Sequence, residues 1–289
     1  MTRKPILVGM IVLAIVTMAC GVNIKIPFTR VKTGPTVTQD IVVPALSDPD
    51  EVANLSLQFG AGDLTLSPGA EKDLVSGVAR FNVPDIKPEV EIDGEDILVT
   101  QGNLKLDGIP SFREEIVNEW DLTLGLSPLN LKLSAGAYKG IFELGGLDLR
   151  GLEVMDGASD VRLSFSTPNR GEMGTFRYQT GASDVRLTDL ANANFETLIF
   201  NSGAGTYSLD FSGKLKRDAT VSIDSGVSTV TIIVPAGVSA KVTFTGGLSS
   251  VDYEGEWEKK GDEYRQPGSG PTITIIVDMG AGTLELRNK

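Results

Sequence analysis

From residue 49 onward, apolar and polar residues alternate along the chain. Leu55, Leu57 and Phe59 are separated by Ser56 and Gln58, Leu64 and Leu66 by Thr65, and the same pattern returns at Leu129, Leu131 and Leu133 and at Val230 and Ile232. A period of two sends successive side chains to opposite faces of a strand. The best helical candidate is the short stretch 111–119, where acids and apolar residues are mixed, and elsewhere Gly or Pro interrupts any helical stripe. The pattern predicts an all-β chain.

Inside this alternation a seven-residue unit recurs. It reads Gly, a small or apolar residue, a small residue, Asp or a small polar residue, then apolar, any, apolar. Copies begin at Gly60, Gly157, Gly181, Gly203, Gly226, Gly247 and Gly280, with a looser one at Gly136. Two of them are nearly identical: Gly157-Ala158-Ser159-Asp160-Val161-Arg162-Leu163 and Gly181-Ala182-Ser183-Asp184-Val185-Arg186-Leu187. From Gly136 to Gly247 the spacings are 21, 24, 22, 23 and 21 residues. A constant period of this size is one coil of a solenoid, whose rungs stack about 4.8 Å apart. The fold predicted is a single-stranded β-solenoid, a β-helix-like stack of 21–24-residue coils with an N-terminal β segment.

Within each coil the leading Gly is expected to form a corner by taking φ > 0. The small residues after it let neighbouring backbones approach. Asp160 and Asp184, with Asp63, Thr206, Thr229 and Thr283 at the same place, are expected to hydrogen-bond turn amides. The last interval, from Gly247 to Gly280, is longer at 33 residues and holds an insertion, 254–270, dense in charge and Gly. The boundaries read from these features are 1–19 for a signal segment, 20–48 for a tether marked by Pro27, Pro35 and Pro44, 49–128 for an N-terminal β domain and 129–289 for the repeats. Because Gly60 already begins a coil-like unit, the last two are expected to stack as one solenoid.

Charge and composition narrow the chemistry. Lys and Arg number 26 against 38 Asp and Glu, a net charge of -12. Such a chain repels phosphate backbones, so nucleic acid is not an expected partner. There is no His and a single Cys. That removes Ser-His-Asp and Cys-His catalysis, His-ligated zinc and an internal disulfide. No cofactor, metal or catalytic residue is expected.

Three features bear on function. The repeated Asp160 and Asp184 read as a structural ladder flanked by Arg162 and Arg186; the rival is a calcium site in a polysaccharide-active β-helix enzyme. Gly60-Ala61-Gly62 and Gly203-Ala204-Gly205 do not continue into a phosphate-binding loop. Trp257, set among Glu254, Glu256, Glu258, Lys259 and Lys260, is a candidate surface contact for a sugar or protein, the alternative being packing onto Tyr253 or Tyr264. Trp120 reads as core.

At the N-terminus, Arg3 and Lys4 precede an uncharged apolar run, 6–19. The run is shorter than the roughly 20 residues of a membrane span and fits a secretory signal. It ends in Ala19-Cys20, which resembles the lipobox of bacterial lipoproteins. That resemblance implies cleavage after Ala19, lipidation of Cys20, a membrane partner through the lipid, and an extracytoplasmic location. The other readings are a plain signal peptide or a short membrane anchor.

The body of the chain carries a second resemblance. Leu55-Ser56-Leu57-Gln58-Phe59-Gly60-Ala61-Gly62-Asp63-Leu64 resembles the opening of the toast-rack domain of bacterial envelope proteins. Trp120-Asp121-Leu122-Thr123-Leu124 and Pro128-Leu129-Asn130-Leu131-Lys132-Leu133 are similar to that family's entry into its repeats. The Gly-Ala-Ser-Asp-Val coils resemble adhesin-like domains and the C-terminal domain of LiaF-type envelope-stress proteins. These resemblances imply a non-catalytic scaffold or binding protein of the envelope, whose partner is another envelope protein or a polysaccharide. A role as accessory or sensor in the envelope-stress response is the alternative they leave open.

Overall fold

A computed structural model describes residues 28–103, 109–111 and 115–289. The chain divides into two units. In the unit made of 1–32 and 104–115, strand β1 (Phe28–Arg30) pairs in parallel with β7 (Ile109–Ser111). The unit made of 33–103 and 116–289 holds the other strands. They are β2 (Val37–Pro44), β3 (Ala53–Pro68), β4 (Asp73–Phe81), β5 (Pro88–Asp93), β6 (Asp96–Gln101), β8 (Asn118–Leu124), β9 (Pro128–Glu143), β10 (Asp148–Ser164), β11 (Met173–Thr188), β12 (Phe195–Asp210), β13 (Ala219–Val234), β14 (Gly237–Tyr253), β15 (Glu258–Lys260), β16 (Glu263–Gln266) and β17 (Gly268–Asn288). All fifteen belong to one sheet. The stretch read as the best helical candidate lies partly outside the described residues, and its end, from Asn118, is strand.

The long strands stack in parallel as the coils of a solenoid. Each is about sixteen residues long and changes phase at its Gly corner. In β12, Leu198 and Phe200 are buried before the corner and Tyr207 and Leu209 after it. Only a bend lets both halves face one interior, and the rings of Phe200 and Tyr207 meet edge to face with centroids 5.3 Å apart. The predicted register holds throughout, with Asp160 beside Asp184 and Asp184 beside Thr206. Strand β3 pairs with β9 from Ala53 to Leu66, so strands on the two sides of residue 128 share one sheet.

Short return segments close the coils, and buried asparagines replace the missing strand hydrogen bonds there. Asn169 accepts from the Leu149 amide at 2.9 Å and donates to the Leu149 carbonyl at 2.8 Å. Asn192 donates to the Phe165 carbonyl and accepts from the Lys214 amide, both at 2.9 Å. Asn194, in the left-handed region at φ 56°, donates to the Gly171 carbonyl at 2.8 Å. A buried backbone group left unpaired is costly, so these side chains complete the coil.

The last two repeats are exchanged in space relative to their order in the chain. Strand β17 lies between β13 and β14, parallel to both, and β14 is the last of the long parallel strands. Composition explains the exchange. Strand β17 buries Ile273, Ile275, Val277, Met279, Leu284 and Leu286, whereas β14 buries only Ala240 and Val242. The more apolar strand takes the place with neighbours on both sides. The insertion forms β15 and β16, and β16 runs antiparallel along Ala240–Thr243 of β14.

Candidate functional site

The corners come first, because every outward-facing row of the stack is set by them. A Cβ added at Gly136 would lie 2.5 Å from the Gly60 carbonyl oxygen. At Gly181 it would lie 2.4 Å from the Gly157 oxygen, at Gly203 2.5 Å from that of Gly181, and at Gly226 2.6 Å from that of Gly203. Gly280 repeats this against Gly226 at 2.7 Å, and Gly157 and Gly247 sit at 3.0 Å from the carbonyls of Gly136 and Gly280. The expected reason for glycine was a positive φ at Gly60, Gly157, Gly181, Gly203, Gly226, Gly247 and Gly280. That reason is corrected: none of these seven adopts it, and six of them instead meet a stacked glycine carbonyl, while a Cβ at Gly60 would lie 2.8 Å from the Gln101 side-chain amide. Positive φ occurs two residues on, at Gly62, Gly205 and Gly282, with φ of 134°, 153° and 130°.

The polar positions of the corner are also reassigned. Asp160 and Asp184 are exposed neighbours on the outer face. Neither carboxylate hydrogen-bonds a turn amide among the described residues, so the expected capping role is corrected. Ser183, the residue before Asp184, accepts one instead: the Ser159 amide donates to its Oγ at 3.0 Å. Lys139 lies on one side of the Asp pair and Thr206 on the other. Among the described residues, no three Asp, Glu, Cys or His side chains gather to hold an ion.

Inside the corner runs a polar ladder. Asp156, Thr180, Ser202 and Ser225 occupy one register. Asp156 accepts from Tyr178 at 2.9 Å, from Tyr138 at 3.3 Å and from Thr180. Ser202 donates to Ser225 Oγ at 2.8 Å. Burial pushes the Tyr138 and Tyr178 hydroxyls well above the ordinary tyrosine range, and the Asp156 carboxylate adds to the shift. Both rings therefore stay neutral donors to Asp156, and the cluster ties β9, β10 and β11 together.

Trp257 is buried, at 5% exposure. The expectation of a surface contact there is corrected, because the ring is enclosed and not offered to a partner. Tyr253 and Tyr264 pack on each other edge to face at 5.3 Å, and the Lys259 ammonium lies 5.2 Å from the Tyr264 ring centre. Trp120 is core, as read. Ala19 and Cys20 lie outside the described residues. The outer face of the first half-strands carries a shallow groove of about 330 Å³ over Gly151, flanked by Asn54, Asn130, Lys132, Glu153 and Arg177.

The N-terminal domain of toast_rack, as a family, matches residues 32–175 and again 174–233. The chain belongs to the toast-rack family. No curated protein matches it. Among solved structures, it is similar to a "putative cell adhesion protein" from Clostridium sporogenes, at 22% identity, covering 88% of this chain and all of the other, with a TM-score of 0.50. A "putative adhesin" from Bacteroides fragilis is 15% identical over 89% of this chain and 99% of its own, with a TM-score of 0.47.

Several residues that build this toast-rack stack were not singled out from the sequence. Asn169 and Asn192 are 23 residues apart, the coil period itself, and that spacing is the signal that marks them. Asp156 has no such signal, because other coils place Phe59, Ala135 or Met279 at its register. Gln101 and Asn118 lie outside the repeats. Gln101 Oε1 accepts from the Gly60 amide at 2.9 Å and from Asn118 Nδ2 at 2.7 Å, finishing the glycine ladder at its first rung.

Proposed function

We propose that this chain is a lipid-anchored protein of the bacterial cell envelope, held outside the cytoplasm, that works by contact and not by catalysis. The lipid on Cys20 holds the base, and the coil stack offers rigid outer faces to another envelope protein or a polysaccharide; the tether expected over 20–48 is corrected at its end, because Val37–Pro44 pairs with β4 and buries Ile41 and Val43. One observation carries the reading. Equivalent side chains stand in straight exposed rows, as at Asp160 and Asp184 or Arg162 and Arg186. Such rows suit recognition of an extended surface. The Clostridium sporogenes neighbour, a "putative cell adhesion protein", supports the same reading.

The anchor has a direct test. One acyl chain is a marginal anchor, and stable retention takes more than one; lipoprotein processing supplies several. Cys20→Ser is expected to leave the membrane fraction or to accumulate unprocessed, read by fractionation and by migration on gels. A Cys20→Ser protein that fractionates and migrates like the parent removes the lipid anchor from the proposal.

A further inference from the structure

The glycine ladder has two ends. At the first rung, the Gly60 amide is satisfied by Gln101 and the flank of β3 is covered by β6 and β8. At the last rung, β16 covers β14 only from Ala240 to Thr243. Residues 246–253 pair with β17 on one side and, among the described residues, have no strand on the other. Their side chains register the loss of cover. Tyr253 is 43% exposed and Val251 half-buried, while their register partners in the neighbouring strand, Leu286 and Leu284, are fully buried.

Exposed strand edges are usually blunted by charge or Pro. Outer strand β5 carries Pro88 and the acids Glu89, Glu91 and Asp93, and β2 carries Asp40 and Pro44. The open stretch of β14, Thr245-Gly246-Gly247-Leu248-Ser249-Ser250-Val251-Asp252-Tyr253, holds no Lys, Arg or Pro and one acid. It is the edge without protection.

We propose that residues 246–253 accept an extended strand from a partner protein, added parallel to β14, with a glycine opposite Gly247 and cationic side chains outward. Three observations specify that occupant. Every long strand of the stack is parallel to its neighbours, so the edge continues a parallel ladder. Each ladder glycine presents its carbonyl to the next rung where a Cβ would sit, and by the same geometry Gly247 excludes a side chain from the added strand. The charge beside the edge is acidic: residues 252–262 hold Asp252, Glu254, Glu256, Glu258 and Asp262 against Lys259 and Lys260. Main-chain hydrogen bonds supply affinity in this mode, and the side-chain positions supply selectivity. A second copy of this chain, itself at -12, meets like charge there.

The inference rests on the contact reading above and names its site. The test uses the full-length chain in mild detergent and a labelled synthetic peptide, Lys-Lys-Gly-Ala-Ser-Lys-Val-Arg-Leu-Lys, at low salt. The peptide is expected to bind and to slow amide exchange within 246–253 at least tenfold, leaving 226–232 unchanged. Valine in place of the peptide glycine, or glutamates in place of its cations, is expected to weaken binding at least tenfold. Asp252→Lys, at an exposed position, is expected to weaken it at least fivefold with an unchanged melting curve. Equal binding of the valine peptide, protection elsewhere than 246–253, or concentration-dependent dimerisation of the chain through this edge overturns the proposal. Failure of the peptide to bind while Cys20 still retains the chain at the membrane removes the edge alone and leaves the anchored scaffold standing.

Discussion

At its amino end the coil stack meets two covers, β6 along the first half of β3 and β8 along the second, with β4 and β2 beyond. At its carboxyl end β16 covers the first half of β14, and the second half faces solvent. A solenoid coil contacts only its neighbours, so each end exposes an apolar rung unless something unlike a coil covers it. The amino cover is built from residues outside the repeat, Gln101, Asn118 and Trp120. The carboxyl cover is the insertion, held by buried Trp257 and Tyr264. The contrast teaches that the repeats set the interior of the stack, whereas the segments that break the repeat decide where it stops and what it leaves open.

The comparison can be broken most forcefully at a middle rung. Gly181→Val puts a branched side chain 2.4 Å from the Gly157 carbonyl, and a loss of roughly 3 kcal/mol or more is expected. Gly247→Ala, at the open rung with 3.0 Å to the Gly280 carbonyl, is expected to cost about 1 kcal/mol. Denaturant unfolding of the two variants checks this, and equal losses would mean that the ladder is no tighter inside than at its end.

Next come the two covers. Trp257→Ala removes a buried ring, a change worth about 3 kcal/mol or more. The loss is expected to appear as local opening of β15 and β16, seen as faster amide exchange there with β10 and β11 still protected. Gln101→Ala strips the partner from the Gly60 amide and from Asn118 and is expected to cost about 1–2 kcal/mol in global unfolding. If Gln101→Ala also opens only its own end, the amino cover is as detachable as the carboxyl one and the contrast fails.

The smallest effect is expected on the outer face. Asp184 makes no hydrogen bond to a turn, so Asp184→Thr and Asp184→Ala should both fall within about 0.5 kcal/mol of the parent. Chelator should leave the melting temperature of either unchanged, because a tightly held ion would stabilise by mass action. A drop of many degrees on adding chelator would return the calcium reading to Asp160 and Asp184.

Much of the fold was legible because a solenoid writes its geometry into its spacing. The interval between Gly157, Gly181, Gly203 and Gly226 gave the register of Asp160 with Asp184 and of Asp184 with Thr206 before any coordinate. The role of those residues was less legible. A glycine needed for φ > 0 and one needed for a stacked carbonyl are the same letter, and the difference between Gly203 and Gly205 exists only once the strands are side by side. Trp257, flanked by charges, reads either as a surface contact or as packing, because local sequence cannot show that the insertion pairs along β14.

By itself, then, the sequence determined the all-β character, the coil period and the apolar phase of each half-strand, because these follow from alternation and from repeats that are local in the chain. Tertiary structure alone decided that β17 lies between β13 and β14, that Asp156 gathers the hydroxyls of Tyr138, Tyr178 and Thr180, and that residues 246–253 remain an open edge. Those outcomes come from competition among distant segments: the strand with more apolar surface to bury takes the inner place, and the weaker one is left at the edge.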